Sequence, residues 1–202
     1  FVPEENMRER IKVDRVPYDV WAAGEWITPT PGNVVDYNLV EQRVLELAGR
    51  YNVIELCADR ALAAMLLQRL ETAGLTCVDI PQTYAQLTDP MNQIEVLLNG
   101  NVPMAEDAES APEVKSVTGA PMLSGRMTHE NNPVARWCFG NTSIAKNGQG
   151  YIKYVKEHKG KTVDRTKRID LTAAWVIAMA RARYYTGSTD LSAAILNDDW
   201  GM

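Results

Sequence analysis

The stretch from residue 53 to residue 80 alternates short apolar runs with a longer amphipathic segment. Residues 53–57 and 75–80 are short and rich in Val, Ile, Leu and Cys, which is typical of buried strands. Between them, residues 60–73 carry apolar positions at helical spacing and end at Gly74, which predicts a helix. A strand, a helix and a strand within about thirty residues indicate a βαβ unit with parallel strands.

The rest of the chain divides into segments of different regularity. Residues 1–35 are rich in Pro, Trp and charge and predict an irregular lead segment, whereas residues 36–185 hold the regular elements of the core. Within that core, residues 101–125 predict an insertion or flexible loop, and residues 186–202 predict a polar tail. The other predicted elements are a helix capped by Asp36 and running to Gly49, a helix from Thr88 to Gly100, a helix over 132–145, a turn at 147–150, a strand over 151–155, a basic loop over 156–168 and a buried helix over 170–185.

Composition indicates a globular protein and leaves few special classes open. The chain has 202 residues, 46% of them hydrophobic and 23% charged, and no apolar run approaches the roughly 20 residues of a membrane span. The beginning of the sequence lacks the basic and apolar regions of a signal peptide, so we expect a protein that is not secreted. Three cysteines without metal-type spacing are expected to be free thiols in a reducing compartment.

The net charge of −5 hides an uneven distribution. Residues 1–125 carry a charge of −10, residues 126–183 carry +8 and residues 184–202 carry −3. A positive segment on an acidic body is what contact with phosphate requires, although a solvated lysine-rich loop gives the same composition. Candidate DNA-binding residues are Lys153, Lys156, Lys159, Lys161, Lys167 and Arg168.

Two aspartates lie where regular elements are predicted to meet. Asp59 follows the first strand of the βαβ unit, and Asp170 opens the last predicted helix directly after Lys167 and Arg168. Ligands bind beyond the carboxyl ends of parallel strands, and Mg²⁺ prefers carboxylate oxygens. Each aspartate is equally suited to cap its own helix, so the sequence leaves metal binding and capping open.

Histidine and tryptophan provide weaker signals near residue 130. His129 is a candidate active-site neighbour or a hydrogen-bonded loop residue. Trp137 and Asn141, four residues apart, are expected to share a helix face, and the indole is a candidate core side chain or base-stacking platform.

The order of these motifs resembles a known family. It consists of Trp21-x-x-Gly24, Thr30-Pro-Gly32, Asp36-Tyr37, the strand ending at Asp59, Gly74, Gln82, His129-x-x-Asn132-Pro133 with Trp137 and Asn141, Lys156, and Arg168-Ile-Asp170 with Ala173-Ala174. Over roughly residues 1–185 this order resembles the C-terminal nuclease domain of tailed-phage terminase large subunits, closest to phages with an HK97-like capsid. Residues 101–125 look like an insertion relative to that pattern.

The resemblance implies a fold, a chemistry and a set of partners. The implied fold is α/β, an RNase H-like mixed sheet flanked by helices and here lacking its first strands. The implied activity is a Mg²⁺- or Mn²⁺-dependent endonuclease that cuts concatemeric double-stranded DNA by two-metal hydrolysis. Asp59 and Asp170 match the second and third acidic ligands, the first acid being expected upstream of Phe1, and His129 is a further candidate catalytic residue. Implied partners are the terminase ATPase domain, the small terminase subunit and the portal, in the host cytoplasm and without a membrane.

Two other interpretations remain open from the sequence. In one, the missing first acid makes the chain a DNA-guiding or docking module of the packaging motor without turnover of its own. In the other, the chain is an α/β domain whose aspartates only cap helices.

Overall fold

The computed structural model describes residues 1–99, 130–156, 158–159, 162–164 and 166–184. Its helices are α1 (Glu4–Asp14), α2 (Tyr18–Ala23), α3 (Tyr37–Arg50), α4 (Arg60–Thr72), α5 (Tyr84–Asn99), α6 (Pro133–Gly140) and α7 (Asp170–Ala182). Its strands are β1 (Val2–Pro3), β2 (Pro29–Thr30), β3 (Leu56–Ala58), β4 (Cys77–Asp79), β5 (Thr142–Lys146), β6 (Ile152–Lys156), β7 (His158–Lys159) and β8 (Thr162–Val163). Among these residues the strands pair two by two, as β1–β2, β3–β4, β5–β6 and β7–β8.

The predicted βαβ unit is confirmed as β3–α4–β4. The two strands are parallel, with Leu56 opposite Cys77 and Ala58 opposite Asp79. Helix α4 ends just before Gly74, whose φ of +96° is the left-handed conformation that favours glycine after a helix. Both strands are shorter than the apolar runs that predicted them.

Helix α7 packs on this unit. Near its C-terminal end, the guanidinium of Arg181 donates two hydrogen bonds to the Glu55 carboxylate, which precedes β3. Further back along the helix, Ile177 and Ala180 form a buried cluster with Ile80, against which Cys57 and Val78 also pack. The C-terminal half of α7 is therefore the part that covers the β3–β4 sheet.

A second layer joins the β5–β6 hairpin to helices α5 and α7. Its turn is closed by the Asn147 side chain, which accepts hydrogen bonds from the backbone N–H groups of Gln149 and Tyr151. On the other edge of the hairpin, the Thr88 hydroxyl of α5 accepts the N–H of Ile152 at 2.9 Å and lies 3.1 Å from its carbonyl oxygen. The residues that form the shared apolar core are Leu87, Ile94, Leu97, Tyr154, Ile169, Val176 and Met179.

The first 35 residues are more ordered than the sequence predicts, because α1 and α2 replace the expected irregular lead. Both helices lack a side-chain cap and follow Pro3 and Pro17, so the usual start signals are missing. Tertiary contacts stabilise them instead. The buried cluster formed with α6 consists of Met7, Tyr18, Trp21, Val134 and Cys138.

Three further predictions need correction at their boundaries. Helix α5 begins at Tyr84, so Pro90 lies inside the helix and not in its first turn. Helix α6 ends at Gly140 and β5 follows, where one helix to residue 145 was expected. The basic loop contains the short β7–β8 pair. The segments 101–125 and 186–202 lie outside the described residues.

Several other predictions are confirmed by the structure. The α/β assignment holds, and Asp36 caps α3 by accepting the backbone N–H of Asn38. All three cysteines are free thiols. No helix among the described residues combines the length and hydrophobicity of a membrane span.

Loss of one member of the buried Asp89–Arg183 pair should destabilise the fold. The Arg183 Nη1 atom lies 3.4 Å from Asp89 Oδ2, and the two side chains are 6% and 1% exposed. Asp89→Ala removes this charge partner from a buried guanidinium, and we expect the free energy of unfolding in urea to fall by about 3–5 kcal/mol.

An exposed pair provides the control for this measurement. Arg43→Met breaks the solvated ion pair with Glu46 and should cost less than about 1 kcal/mol. The double variant Asp89→Leu with Arg183→Met should recover much of the loss. If Asp89→Ala costs no more than Arg43→Met, the buried pair does not stabilise the fold.

Candidate active site

Asp59 lies at the carboxyl end of β3 and caps helix α4. One carboxylate oxygen accepts the backbone N–H of Ala61 at 3.0 Å. On the neighbouring strand, Asp79 accepts the backbone N–H of Arg60 at 2.9 Å. Two carboxylates therefore lie at the positive end of the α4 dipole, a position that stabilises negative charge.

The second oxygen of Asp59 belongs to a hydrogen-bonded relay. The Gln82 side-chain amide donates to it at 3.0 Å, and the Tyr154 hydroxyl donates to the Gln82 carbonyl oxygen at 2.6 Å. Burial raises the pKa of Tyr154 to about 12, and the negative charge of Asp59 adds to this effect. Tyrosine is thus a proton donor across the neutral range, and Gln82 must present its N–H groups to Asp59.

Asp170 is the first residue of helix α7, which packs on the β3–β4 unit. At the other end of the helix, Arg181 is fixed beside Glu55, which precedes β3. Asp59 follows β3, so the two aspartates belong to parts of the chain that pack together.

The start of α7 is fixed by contacts with the chain that follows α6. The Asn141 amide donates to the Arg168 carbonyl oxygen at 3.2 Å, and the Thr142 and Thr172 hydroxyls lie 2.9 Å apart. Asp170 itself is exposed, close to the buried Cys138. Burial raises the pKa of the Cys138 thiol, and the Asp170 carboxylate contributes to the increase.

Arg168 is held by a buried carboxylate. Its Nε atom donates to Asp14 Oδ2 at 3.3 Å, and the same oxygen accepts the Tyr18 hydroxyl at 2.7 Å. The Asp14 side chain has no exposed surface. Burial raises the pKa of Tyr18, helped by its hydrogen bond to Asp14, so this contact persists well above neutral pH.

The other candidate DNA-binding residues are spread along the hairpin and the basic loop. Lys153 Nζ lies 4.9 Å from the ring centre of Tyr84, whereas strand alternation places Lys156 on the face of β6 that carries Tyr154. The backbone N–H of Lys167 bonds to the Asp164 carbonyl oxygen. Lys159 belongs to β7, but its side chain, like Lys161 and His129, lies outside the described residues.

Several of these features have no sequence signal. The relay through Gln82 and Tyr154 joins residues 72 positions apart, and the Asp14–Arg168 pair joins residues 154 apart. Trp137 is part of an aromatic group with Tyr18 and Trp21, as its core interpretation predicted. Within the described ranges, no three His, Cys, Asp or Glu side chains come together in a way that could hold a metal ion.

Comparison with known proteins gives two sequence matches and one structural match of similar extent. The chain is 26% identical over 184 residues to the terminase large subunit of Enterobacteria phage HK97, covering 90% of this chain and 31% of that protein. It is also 26% identical over 175 residues to protein YmfN of Escherichia coli strain K12, covering 87% of this chain and 32% of that protein. No family model matches the chain.

The structural match agrees with the sequence matches. The crystal structure of the HK97 bacteriophage large terminase superimposes with a TM-score of 0.64 and 25% identity, over 88% of this chain and 31% of that one. The chain therefore spans about a third of the length of these relatives. The resemblance inferred from the motif order is confirmed: the chain is homologous to a segment of the phage terminase large subunit.

Proposed function

We propose that this chain forms the nuclease part of a DNA-packaging terminase and cuts concatemeric double-stranded DNA. Asp59 and Asp170 would be ligands of Mg²⁺ or Mn²⁺ in an RNase H-like fold. The observation that supports the proposal is the packing of α7 on the β3–β4 unit, since Asp59 follows β3 and Asp170 opens α7. Homology to a terminase large subunit supports a role in DNA packaging.

The chemistry of the two carboxylates suits a hard divalent cation. Each oxygen of Asp59 accepts one N–H bond, which orients the group and leaves further lone pairs for a ligand. Asp170 is exposed, so its carboxylate is accessible to a ligand. When bound, divalent ions of this kind polarise the scissile phosphate and stabilise the leaving oxygen.

The first acid implied by the family resemblance would come from outside residues 1–202. Among the described residues β3 pairs with β4 alone, which leaves its other edge for an added strand. An acid on such a strand would lie next to Asp59. This arrangement would complete the ligand set without any change in β3 or α7.

DNA contacts in this proposal come from the basic segment. Lys156 and Arg168 lie on elements adjacent to the aspartates, with Lys153 and Lys167 nearby along the chain, and phosphate contacts of this type position DNA without reading its sequence. Lys159, Lys161 and His129 keep the roles predicted for them. The family partners, namely the ATPase domain, the small subunit and the portal in the host cytoplasm, are part of the same proposal.

Substitution of either aspartate should abolish metal-dependent cleavage without unfolding the chain. With supercoiled plasmid and Mn²⁺, and in the complete protein that supplies the first acid, we expect Asp59→Asn and Asp170→Asn each to lower nicking by roughly a hundredfold or more, because charge stabilisation is lost. Mn²⁺ affinity, measured by electron paramagnetic resonance, should fall in both variants. The double variant should be little weaker than either single one, since the residues share one ion.

Asp36→Asn is the matched control. Asp36 caps α3 through the same type of contact that Asp59 makes with α4, and asparagine is an equally good cap. This variant should cleave and bind Mn²⁺ like the parent. Parental activity in either aspartate variant would exclude that aspartate from the metal site and would leave Asp59 only as the cap of α4.

A second candidate function is a DNA-guiding module without turnover. It is favoured by the absence, among the described residues, of a complete three-residue metal site. The plasmid assay separates the two functions: nicking that a chelator suppresses supports the nuclease, and its absence supports the guiding module. DNA binding that weakens with salt is expected of both.

Gln82 should act on metal binding through Asp59. Gln82→Met removes the donor to Asp59 and the acceptor for Tyr154, and we expect a loss of about tenfold to a hundredfold in Mn²⁺ affinity. Gln86→Met, at an exposed position of α5, is the control and should leave Mn²⁺ affinity unchanged. Equal affinities in the two variants would exclude Gln82 from the site.

A further inference from the structure

A cavity of about 570 Å³ opens beside Asp170, between the first helices and the start of α7. It is called the Asp170 cavity here. Its volume lies in the range of about 300–1,000 Å³ that is usual for small-molecule sites. The lining residues that matter for binding are Arg10, Tyr18, Trp26, Trp137, Arg168 and Asp170.

Two arginines and one carboxylate are the charged side chains that line the Asp170 cavity. They are Arg10, Arg168 and Asp170, and Arg168 is also paired with the buried Asp14. The guanidinium of Arg168 is oriented before any ligand arrives, because its Nε atom is bonded to the fully buried Asp14. A guanidinium is a planar fork of N–H donors, a shape that suits bidentate binding of phosphate.

An exposed indole at the cavity provides a flat apolar surface. Trp26 is 40% exposed, although its backbone N–H is fixed at 2.9 Å to the Trp21 carbonyl oxygen. Its ring lies directly over Gly24, where a Cβ atom would be only 2.9 Å from the indole Cδ1. The absence of a side chain at Gly24 therefore determines where this indole lies. Aromatic rings held in the open stack on nucleobases of any sequence.

We infer that the Asp170 cavity binds one nucleotide of the DNA strand, with its phosphate on Arg10 and Arg168 and its base against Trp26. The inference rests on the proposed function, because Asp170 would then place this nucleotide next to the scissile phosphate. A base in this cavity must leave the double helix, so the bound strand is locally unpaired. Thymidine is the natural probe, since its base pair costs little to open.

The first test is binding of thymidine monophosphate to the complete chain in the presence of a chelator, followed by tryptophan fluorescence. Thymidine monophosphate should bind at least about tenfold more tightly than thymidine or inorganic phosphate, because only the nucleotide fills both parts of the cavity. Arg10→Gln should weaken nucleotide binding by about tenfold and leave thymidine unaffected, as expected for loss of a charged hydrogen bond. Arg43→Gln, which changes a solvated arginine on α3, is the control.

The second test moves the indole without removing it. Gly24→Ala should displace the Trp26 ring and weaken the binding of both thymidine monophosphate and thymidine, whereas the binding of inorganic phosphate stays unchanged. Gly49→Ala is the matched control, because a Cβ at that position meets nothing within 4 Å. Nucleotide binding that is equal in Gly24→Ala and Gly49→Ala would overturn the role of Trp26.

The results of these binding tests can be told apart from a failure of the proposed nuclease function. Binding of phosphate alone, or no binding of any probe, overturns the nucleotide site even if Asp170→Asn abolishes cleavage. Nucleotide binding sensitive to Arg10→Gln and Gly24→Ala supports the site even if the aspartate variants still cleave.

Discussion

The packing of α7 along β3 is the constraint on which the candidate site depends. The bidentate contact between Arg181 and Glu55, with N···O distances of 2.7 and 2.8 Å, fixes the register at one end. The hydrogen bond from Arg181 also holds the pKa of the Glu55 carboxyl below its usual range. A slip of the helix by one turn would move Asp170 by about 5 Å along the helix axis and so change its position relative to β3 and Asp59.

The opposite end of α7 is fixed by uncharged groups. Asn141 and Thr142 bond to the helix start and connect it to α6 and β5. The two ends are therefore fixed by different elements, a salt bridge near β3 and an amide and a hydroxyl after α6. This double attachment explains how an exposed carboxylate keeps a defined position while its own side chain stays free to bind.

Elements with local start and stop signals were predictable from the sequence. Asp36, Gly74 and the Asn147 turn each act through neighbouring backbone groups, and the structure has all three where they were expected. Pro90 misled the prediction for α5, because proline usually lies in a first turn but here lies inside a longer, buried helix. Helix α1 escaped prediction because tertiary packing of Met7 stabilises it without a cap.

The residues of the candidate site also divide into those that have a local sequence signal and those that do not. Asp59 and Asp170 stand at the ends of regular elements, and the hydrophobic periodicity of the sequence locates those ends. The order of the motifs separately indicated the family resemblance. Gln82, Tyr154 and Asp14 contribute through side-chain contacts across the fold, and no spacing in one sequence predicts such contacts. The cavity beside Asp170 is a similar case, since segments more than a hundred residues apart line it.

The Thr88 hydroxyl has a consequence for self-association. It accepts the N–H of Ile152 at 2.9 Å and lies 3.1 Å from the Ile152 carbonyl oxygen, so a side chain from within the same molecule covers the outward-facing edge of β6 at this residue. A two-stranded hairpin otherwise offers its outer edge to any extended chain that approaches. One helical threonine thus helps to protect the start of β6 from intermolecular sheet growth, in addition to Lys153 and Lys156 on the strand itself.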